Sequence, residues 1–264
     1  MIAARWRRYL ITGSTGIGAA TARLLASGGQ RVFVISRTSA HVAALVDDLA
    51  HAGGDASGTA ADLQIEQEAV AAVRDAHARL GRIDGVFNVA GMSGRRFGDG
   101  PLHEVTLSGW DITLGSNLTS MFLVCRETLG ILVAQAPDED GARGAILNMG
   151  SVLAAHPSSP QFATHAYAAA NGAIVSMSRA MAATYAPRGI RVNVIAPRLT
   201  RTPMSRRAQD DPDILDFASR RQPLVGGMLS AEDIARTAAF LLGPNARAIT
   251  GDVITIDGGW SVSA

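Results

Sequence analysis

The 264-residue sequence contains no lysine: Lys and Arg together number 24, and every one is arginine. Its strong cations are therefore planar guanidiniums that stay protonated, which excludes any mechanism built on a neutral amine or a Schiff base. Cysteine is nearly absent. The single Cys125 cannot close an internal disulfide and supplies too few thiols for a structural zinc site. The scattered His and Asp residues show no metal-ligand spacing, so no metal is expected. No apolar run reaches the ~18 to 20 residues that a bilayer span needs, and residues 1–8 lack the apolar stretch of a secretory signal. The expectation is a cytoplasmic protein with no membrane partner. Charge of one sign is missing as well. With 24 basic and 23 acidic residues the formal net charge is +1, too little to gather nucleic acid.

What is present is a core-forming composition, 47% hydrophobic and 18% charged, enough for one sizeable domain. Apolar, β-rich runs alternate with alanine-rich helical patterns from end to end, the signature of a parallel sheet with crossover helices. Strands are predicted at residues 8–12, 31–36, 56–61, 85–89, 144–149, 190–195 and 252–256. Helical periodicity covers 19–27, 40–50, 64–80, 117–135, 167–185 and 231–242. No repeat or linker divides the chain. The expected fold is a single α/β domain over residues 1–264, a Rossmann-type, doubly wound, seven-stranded parallel sheet. Residues 92–109 and 197–229 are rich in Gly, Pro and Arg and follow predicted strand ends. Ligands in such sheets bind beyond the carboxyl ends of the strands, so these two segments form the expected rim, with 197–229 as a substrate lid.

The first strand end carries Thr12-Gly13-Ser14-Thr15-Gly16-Ile17-Gly18. A glycine-rich turn between a strand and a helix lets backbone N–H groups approach a pyrophosphate at the helix N-terminus. The second strand ends at Ser36-Arg37, about twenty residues on. An acidic residue there would hold a ribose 2′-hydroxyl. A guanidinium suits a 2′-phosphate instead, so NADP(H) is favoured over NAD(H). The plainer reading of Arg37 is a solvated strand-end arginine.

Beyond the turn, motifs recur in order: Asp62-Leu63, Asn88-Val89-Ala90-Gly91, Asn117-Leu118, Asn148-Met149-Gly150-Ser151 and Tyr167. Arg191-Val192-Asn193-Val194-Ile195-Ala196-Pro197, Thr202-Pro203-Met204, and Thr250-Gly251 through Asp257-Gly258-Gly259 complete the series. Over residues 8–260 the chain resembles the short-chain dehydrogenase/reductase family. The resemblance implies a nicotinamide nucleotide, a small or medium organic substrate whose ketone or aldehyde is reduced to an alcohol, and a homo-oligomer, dimer or tetramer. It implies Tyr167 as general acid/base, Ser151 as donor to the substrate oxygen and Asn117 as holder of a proton-relay water. Cofactor contacts are implied at Gly13, Ser14, Thr15, Gly16, Ile17 and Gly18, at Arg37, Asp62 and Leu63, at Asn88, Ala90 and Gly91, and at Pro197, Arg198 and Thr202. The residues themselves suit that chemistry, which needs a proton donor beside a carbonyl and a second hydrogen bond to the same oxygen. Each also has a plainer structural reading: Tyr167 as a helix aromatic, Ser151 as a turn residue, Asn117 as a helix cap after Gly115-Ser116.

Against the family pattern the chain departs around the cofactor. Where the family has Tyr-x-x-x-Lys, the sequence reads Tyr167-Ala168-Ala169-Ala170-Asn171. Polyketide ketoreductase domains also read Tyr-x-x-x-Asn, but carry the lysine at the position that is Asn117 here. The amide of Asn171 can keep a ribose hydrogen bond yet cannot stabilise a tyrosinate by charge. The glycine turn is one residue shorter than the family's Gly-x-x-x-Gly-x-Gly, so its phosphate cradle is either re-formed or lost. Val89 replaces an Asn, and Arg198 stands where the family has glycine, close to the expected nicotinamide; its charge can replace the missing lysine's.

Two further readings follow from these departures. Without nicotinamide, Ser151 and Tyr167 remain a polar clamp for an oxygen, suited to elimination, isomerisation or epoxide chemistry. Halohydrin dehalogenases use this fold so, but with Tyr-x-x-x-Arg. The other reading is a non-catalytic binding protein with no cofactor. Arg95-Arg96, Arg201, Arg206 and Arg207 are candidate substrate contacts whose default is a solvated or locally paired face. His165 and His156 read as solvent-facing residues, and Cys125 as a core thiol.

Overall fold

The computed structural model describes residues 7–158 and 161–263; the expectation about the N-terminal segment falls, for residues 1–6, outside the described residues. In chain order the major elements are β1 (Arg8–Thr12), α1 (Gly16–Ser27), β2 (Arg31–Ser36), α2 (Ser39–His51), β3 (Ala56–Ala60), α3 (Glu66–Leu80) and β4 (Gly85–Asn88). They continue with α4 (Leu107–Leu114), α5 (Ser120–Ala134), β5 (Gly144–Met149), α6 (His165–Tyr185), β6 (Ile190–Pro197), α7 (Arg206–Gln209), α8 (Pro212–Arg221), α9 (Ala231–Leu242) and β7 (Val253–Ile256). The strands form one sheet in the order β3-β2-β1-β4-β5-β6-β7, every pair parallel. This is the doubly wound α/β architecture that the alternating pattern implies. The order reverses between β1 and β4, and at such a switch point the crossover helices diverge to opposite faces and leave a crevice.

Successive strand residues point to opposite faces, which divides the interior into two layers. Leu10, Phe33, Val86 and Ile146 pack beneath α3, α5 and α6 against Val73, Val124, Leu132 and Ile174. Their neighbours Ile11, Val34, Phe87 and Leu147 pack on the other face against Leu25, Leu45, Ile234 and Leu241. Each fully buried Leu, Ile or Phe contributes roughly 1.5–3 kcal/mol, so the near-continuous apolar strands hold the sheet centrally in both layers. A third cluster, with Val152, Phe162, Leu199, Ile214 and Trp260, lies under the segment 197–229.

The sequence pattern misplaced one helix boundary. A helix was expected from residue 117, after a loop ending at 109. Instead helical structure runs from Leu107 to Ala134, with a π-helical turn at Gly115–Thr119 joining α4 to α5. The extra residue in that turn shifts the apolar stripe out of 3.6-residue register, which hides the continuity from periodicity. Thr106 starts it by accepting from the Gly109 N–H at 3.0 Å. The joined stretch is long and apolar enough to cross a bilayer by length and composition, contrary to the expectation that no such run exists; 50% of its apolar window is buried in the fold.

The expected lid also has structure of its own. Asp211 caps α8 by accepting from the Asp213 and Ile214 N–H groups at 3.1 and 3.2 Å, and Ile214 and Ala218 face the third cluster.

Candidate active site

The glycine turn is re-formed despite its missing residue. Gly13 at φ +108° and Gly16 at φ +52° supply backbone conformations that favour glycine, and α1 begins at Gly16 with Thr15 extended before it. A Cβ at Gly18 would collide with the Gly13 carbonyl oxygen, so the helix start and the strand end meet at contact distance. The side chain of Val89 packs 3.2 Å from that same position. Ile17 packs against the core layer that holds Ile11, Leu25 and Val34. The buried Ser14 hydroxyl has no hydrogen-bond partner among the described residues. A free hydroxyl beside the unsatisfied N–H groups of a first helical turn fits a phosphate. Across the crevice, Thr202 stands against the turn: its Cβ and Cγ2 lie 3.1 Å from where a Gly16 Cβ would be.

At the end of β2, Arg37 is exposed and forms no hydrogen bond or ion pair with the described residues, leaving its fork free. Asp62 is partly exposed and accepts from the Gln64 N–H at 3.0 Å, whereas the Leu63 side chain is buried in the core. Asn88 corrects the expectation of a cofactor-facing side chain. It is 2% exposed and donates to Asn148 Oδ1 at 2.9 Å and to Cys125 Sγ at 3.2 Å, inside the sheet. Ala90 is placed by its N–H, which donates to Thr12 Oγ1 at 3.2 Å. A Cβ at Gly91 would press on Asn117 Oδ1, so glycine is required there.

Asn117 is not a helix cap. It sits in the π-helical turn and donates through Nδ2 to the carbonyls of Thr113 and Met92 at 2.7 and 2.9 Å, while Oδ1 accepts from the Met92 N–H at 3.1 Å. One lone pair on Oδ1 is all its side chain leaves for a water. These bonds tie the loop after β4 to the long helix.

Ser151 follows β5 and opens a short 3-10 turn. Its Oγ accepts from the Leu153 N–H at 3.2 Å, and its hydroxyl is within hydrogen-bonding reach of the Tyr167 phenol. Tyr167 lies in the first turn of α6 and is half-buried as a residue. Burial pushes its phenol above the ordinary pKa; hydrogen bonding to Ser151 and Asn171, and the charge of Arg198, pull the other way. Asn171 is buried and donates from Nδ2 to the Tyr167 carbonyl at 2.8 Å. The structure thus brings Ser151, Tyr167 and Asn171 together beside the crevice, with Asn117 holding the loop opposite.

Arg198 departs from its expected place. Its backbone N–H donates to the Ile256 carbonyl at 3.0 Å, just past Pro197 at the end of β6. Its guanidinium turns into the third apolar cluster, 4.2 Å from the Phe162 ring and 3.8 Å from the Trp260 ring. No hydrogen bond joins it to Tyr167 among the described residues, though its charge reaches the phenol. Arg95 and Arg207 both donate to the Gln161 carbonyl, at 2.7 and 3.1 Å. His165 Nδ1 meets the Gly100 carbonyl at 2.7 Å. Cys125 is a core thiol, its pKa pushed up to about 12 by burial.

Sequence reasoning missed Asp99. It is 3% exposed, and its two carboxylate oxygens accept from the Ala166 and Tyr167 N–H groups, both at 2.9 Å. A carboxylate at a helix N-terminus satisfies donors that have no partner within the helix, and here it fixes the residue that carries the phenol. Gly98-Asp99-Gly100 hinted at a tight turn, but nothing local linked it to Tyr167, 68 positions away.

The family model described as enoyl-(acyl carrier protein) reductase matches residues 11–261. A short-chain reductase protein, NovJ, from Streptomyces niveus is 35% identical over 255 residues, spanning 95% of this chain and 92% of that protein. Among solved structures, levodione reductase superposes with a TM-score of 0.87 at 31% identity and covers 98% of this chain and 100% of that one. An actinorhodin polyketide ketoreductase variant, solved with NADPH, superposes with a TM-score of 0.85 at 28% identity over 99% of this chain and 100% of that one.

Proposed function

The chain belongs to the short-chain dehydrogenase/reductase family and is an oxidoreductase of that family, and on this premise we propose that it reduces a ketone or aldehyde on a small or medium organic molecule, using NADPH. The observation that carries this reading is the meeting of Ser151 and Tyr167 at the carboxyl end of β5, beside a re-formed glycine turn. NADPH, when bound, would supply a hydride to the carbonyl carbon. Ser151 donates its hydroxyl proton as a hydrogen bond to the substrate oxygen, and Tyr167 gives its phenolic proton to that oxygen as the alcohol forms. The phenol then regains a proton from water, so each turnover consumes one carbonyl, one NADPH and one proton. Asn171 and Asp99 hold the start of α6, and Asn117 anchors the loop after β4.

The turn residues Gly13 to Gly18, with the unpartnered Ser14 hydroxyl, suit the pyrophosphate. Arg37 suits the 2′-phosphate, which is the basis for preferring NADP(H) to NAD(H). Asp62 suits the adenine. The expected cytoplasmic compartment and small-molecule substrate belong to the same reading, as does a homo-oligomer built on α5 and α6, where Phe122 is 42% exposed. Titration with NADPH, followed by nicotinamide fluorescence, should saturate, and NADPH should be oxidised with at least one member of a ketone and aldehyde panel. Absence of nucleotide binding together with cofactor-free turnover of epoxides or halohydrins would overturn the proposal.

A further inference from the structure

Arg198 is the one arginine buried among the described residues, with 7% of its surface exposed. Its Nε and Nη2 donors have no hydrogen-bond partner. The guanidinium nests in a corner between Phe162 and Trp260, whose rings meet edge to face at an interplanar angle of 86° with centroids 5.9 Å apart. Carbon covers two of its sides, and no carboxylate covers any. Asp257, the acid whose charge reaches it, is occupied with the Gly259 and Ser261 N–H groups at 3.0 and 2.8 Å. The other nearby charge, Arg221, has the same sign and is bonded to the Trp260 and Ser263 carbonyls at 3.2 and 2.6 Å.

A guanidinium keeps its proton where a lysine would lose it, and burial lowers Arg198 only to about 9, so it is charged at neutral pH. A buried charge lacking both counter-ion and hydrogen bonds is destabilising, and an apolar side chain would fill this corner better. Its position puts that charge within electrostatic reach of the Tyr167 phenol. Arg198 follows β6, the neighbour of β5, and Val152 and Leu199, adjacent in sequence to Ser151 and Arg198, share one apolar cluster with both rings.

We propose that Arg198 is a substrate-binding residue that takes a carboxylate, so that the preferred substrate is an oxo acid whose carbonyl lies on Ser151 and Tyr167. The planar fork of arginine offers two parallel N–H donors that match the two oxygens of a carboxylate, and the aromatic corner excludes competing water. A carboxylate there also cancels the pull of Arg198 on the Tyr167 phenol, which keeps the phenol protonated for donation. That the bound anion belongs to a reducible carbonyl compound rests on the reductase reading above; the anion site itself does not.

The test therefore begins without nucleotide. Calorimetric titration would compare 2-oxobutanoate, acetoacetate and 4-oxopentanoate with their methyl esters and with inorganic phosphate, on the wild type and on Arg198→Gln and Arg198→Lys. At least one oxo acid should bind the wild type about tenfold more tightly than its ester. Arg198→Gln should abolish that preference while melting no lower than the wild type, and Arg198→Lys should keep part of it. Equal binding of acids and esters, or a preference that survives Arg198→Gln, overturns the proposal; so does phosphate binding as tightly as the acids. Should Arg198→Gln not fold, the wild-type comparison and Arg198→Lys still decide. Rates with NADPH then test the coupling: kcat/KM should favour oxo acids over esters by a similar factor in the wild type only. An oxo acid that binds through Arg198 but is never reduced would sink the reductase reading and leave the anion site standing.

Discussion

The protonation of a single phenol sets the preferred direction of turnover. Burial raises the Tyr167 pKa from its ordinary 10.0, and no lysine is present to lower it. A raised pKa keeps the group protonated at neutral pH, so donation is ready and acceptance poor. Carbonyl reduction should stay level from pH 7 to 9, whereas alcohol oxidation should climb by about tenfold per unit over the same range, as the small phenolate fraction grows. Initial rates in both directions with one substrate pair check this, and a flat oxidation profile would contradict it. Arg37 decides which nucleotide is preferred. Its exposed fork makes no contact within the described protein, so Arg37→Ala should weaken NADPH binding by roughly tenfold or more and leave NADH binding unchanged. Equal losses for both nucleotides would reject the assignment. Tyr167 and Ser151 were legible in the sequence because each lies in a local motif. The side-chain direction of Arg198 was not, since Phe162 and Trp260 reach it from distant segments.

At the scale of elements, the start of α6 is held by a carboxylate from another loop. Asp99→Ala removes both acceptors for the Ala166 and Tyr167 N–H groups and should cost about 1–2 kcal/mol of stability. Because it also frees the turn that carries the phenol, kcat should fall more than KM rises. Asp99→Asn keeps one acceptor and should lie between. Urea unfolding and steady-state kinetics on the same preparations measure both effects, and a stability loss with unchanged kcat would confine Asp99 to capping. The glycine turn gives a second prediction. Gly16→Ala places a side chain at φ +52° and 3.1 Å from Thr202, so about 1–2 kcal/mol of strain is expected, with NADPH affinity reduced by roughly tenfold. Thermal melts and nucleotide titration check it. The strand, glycine turn and helix start were legible because they are contiguous in sequence. The helix from Leu107 was misread, since the π-helical turn at Gly115–Thr119 breaks the periodicity on which the reading depended.

Across the whole molecule, the two apolar layers hold the sheet and the altered residues gather at one rim. The exposed side of α5 carries Phe122, with the Arg126 guanidinium 5.4 Å above its ring, and large apolar side chains at a surface favour association. Light scattering after size exclusion at micromolar protein should therefore give a dimer or tetramer mass; a monomer would reject the proposed oligomer. The sequence by itself determined the sheet, its parallel strands and the Ser151 and Tyr167 motifs, because strand and helix periods and short turns are properties of neighbouring residues. Only the tertiary structure decided that Asp99 grips α6, that Asn88 faces Asn148 and Cys125, that Thr202 lies on Gly16 and that Arg198 rests between two aromatic rings. Those contacts join residues 36 to 186 positions apart, and such pairings exist only once the strands have carried them to the same edge.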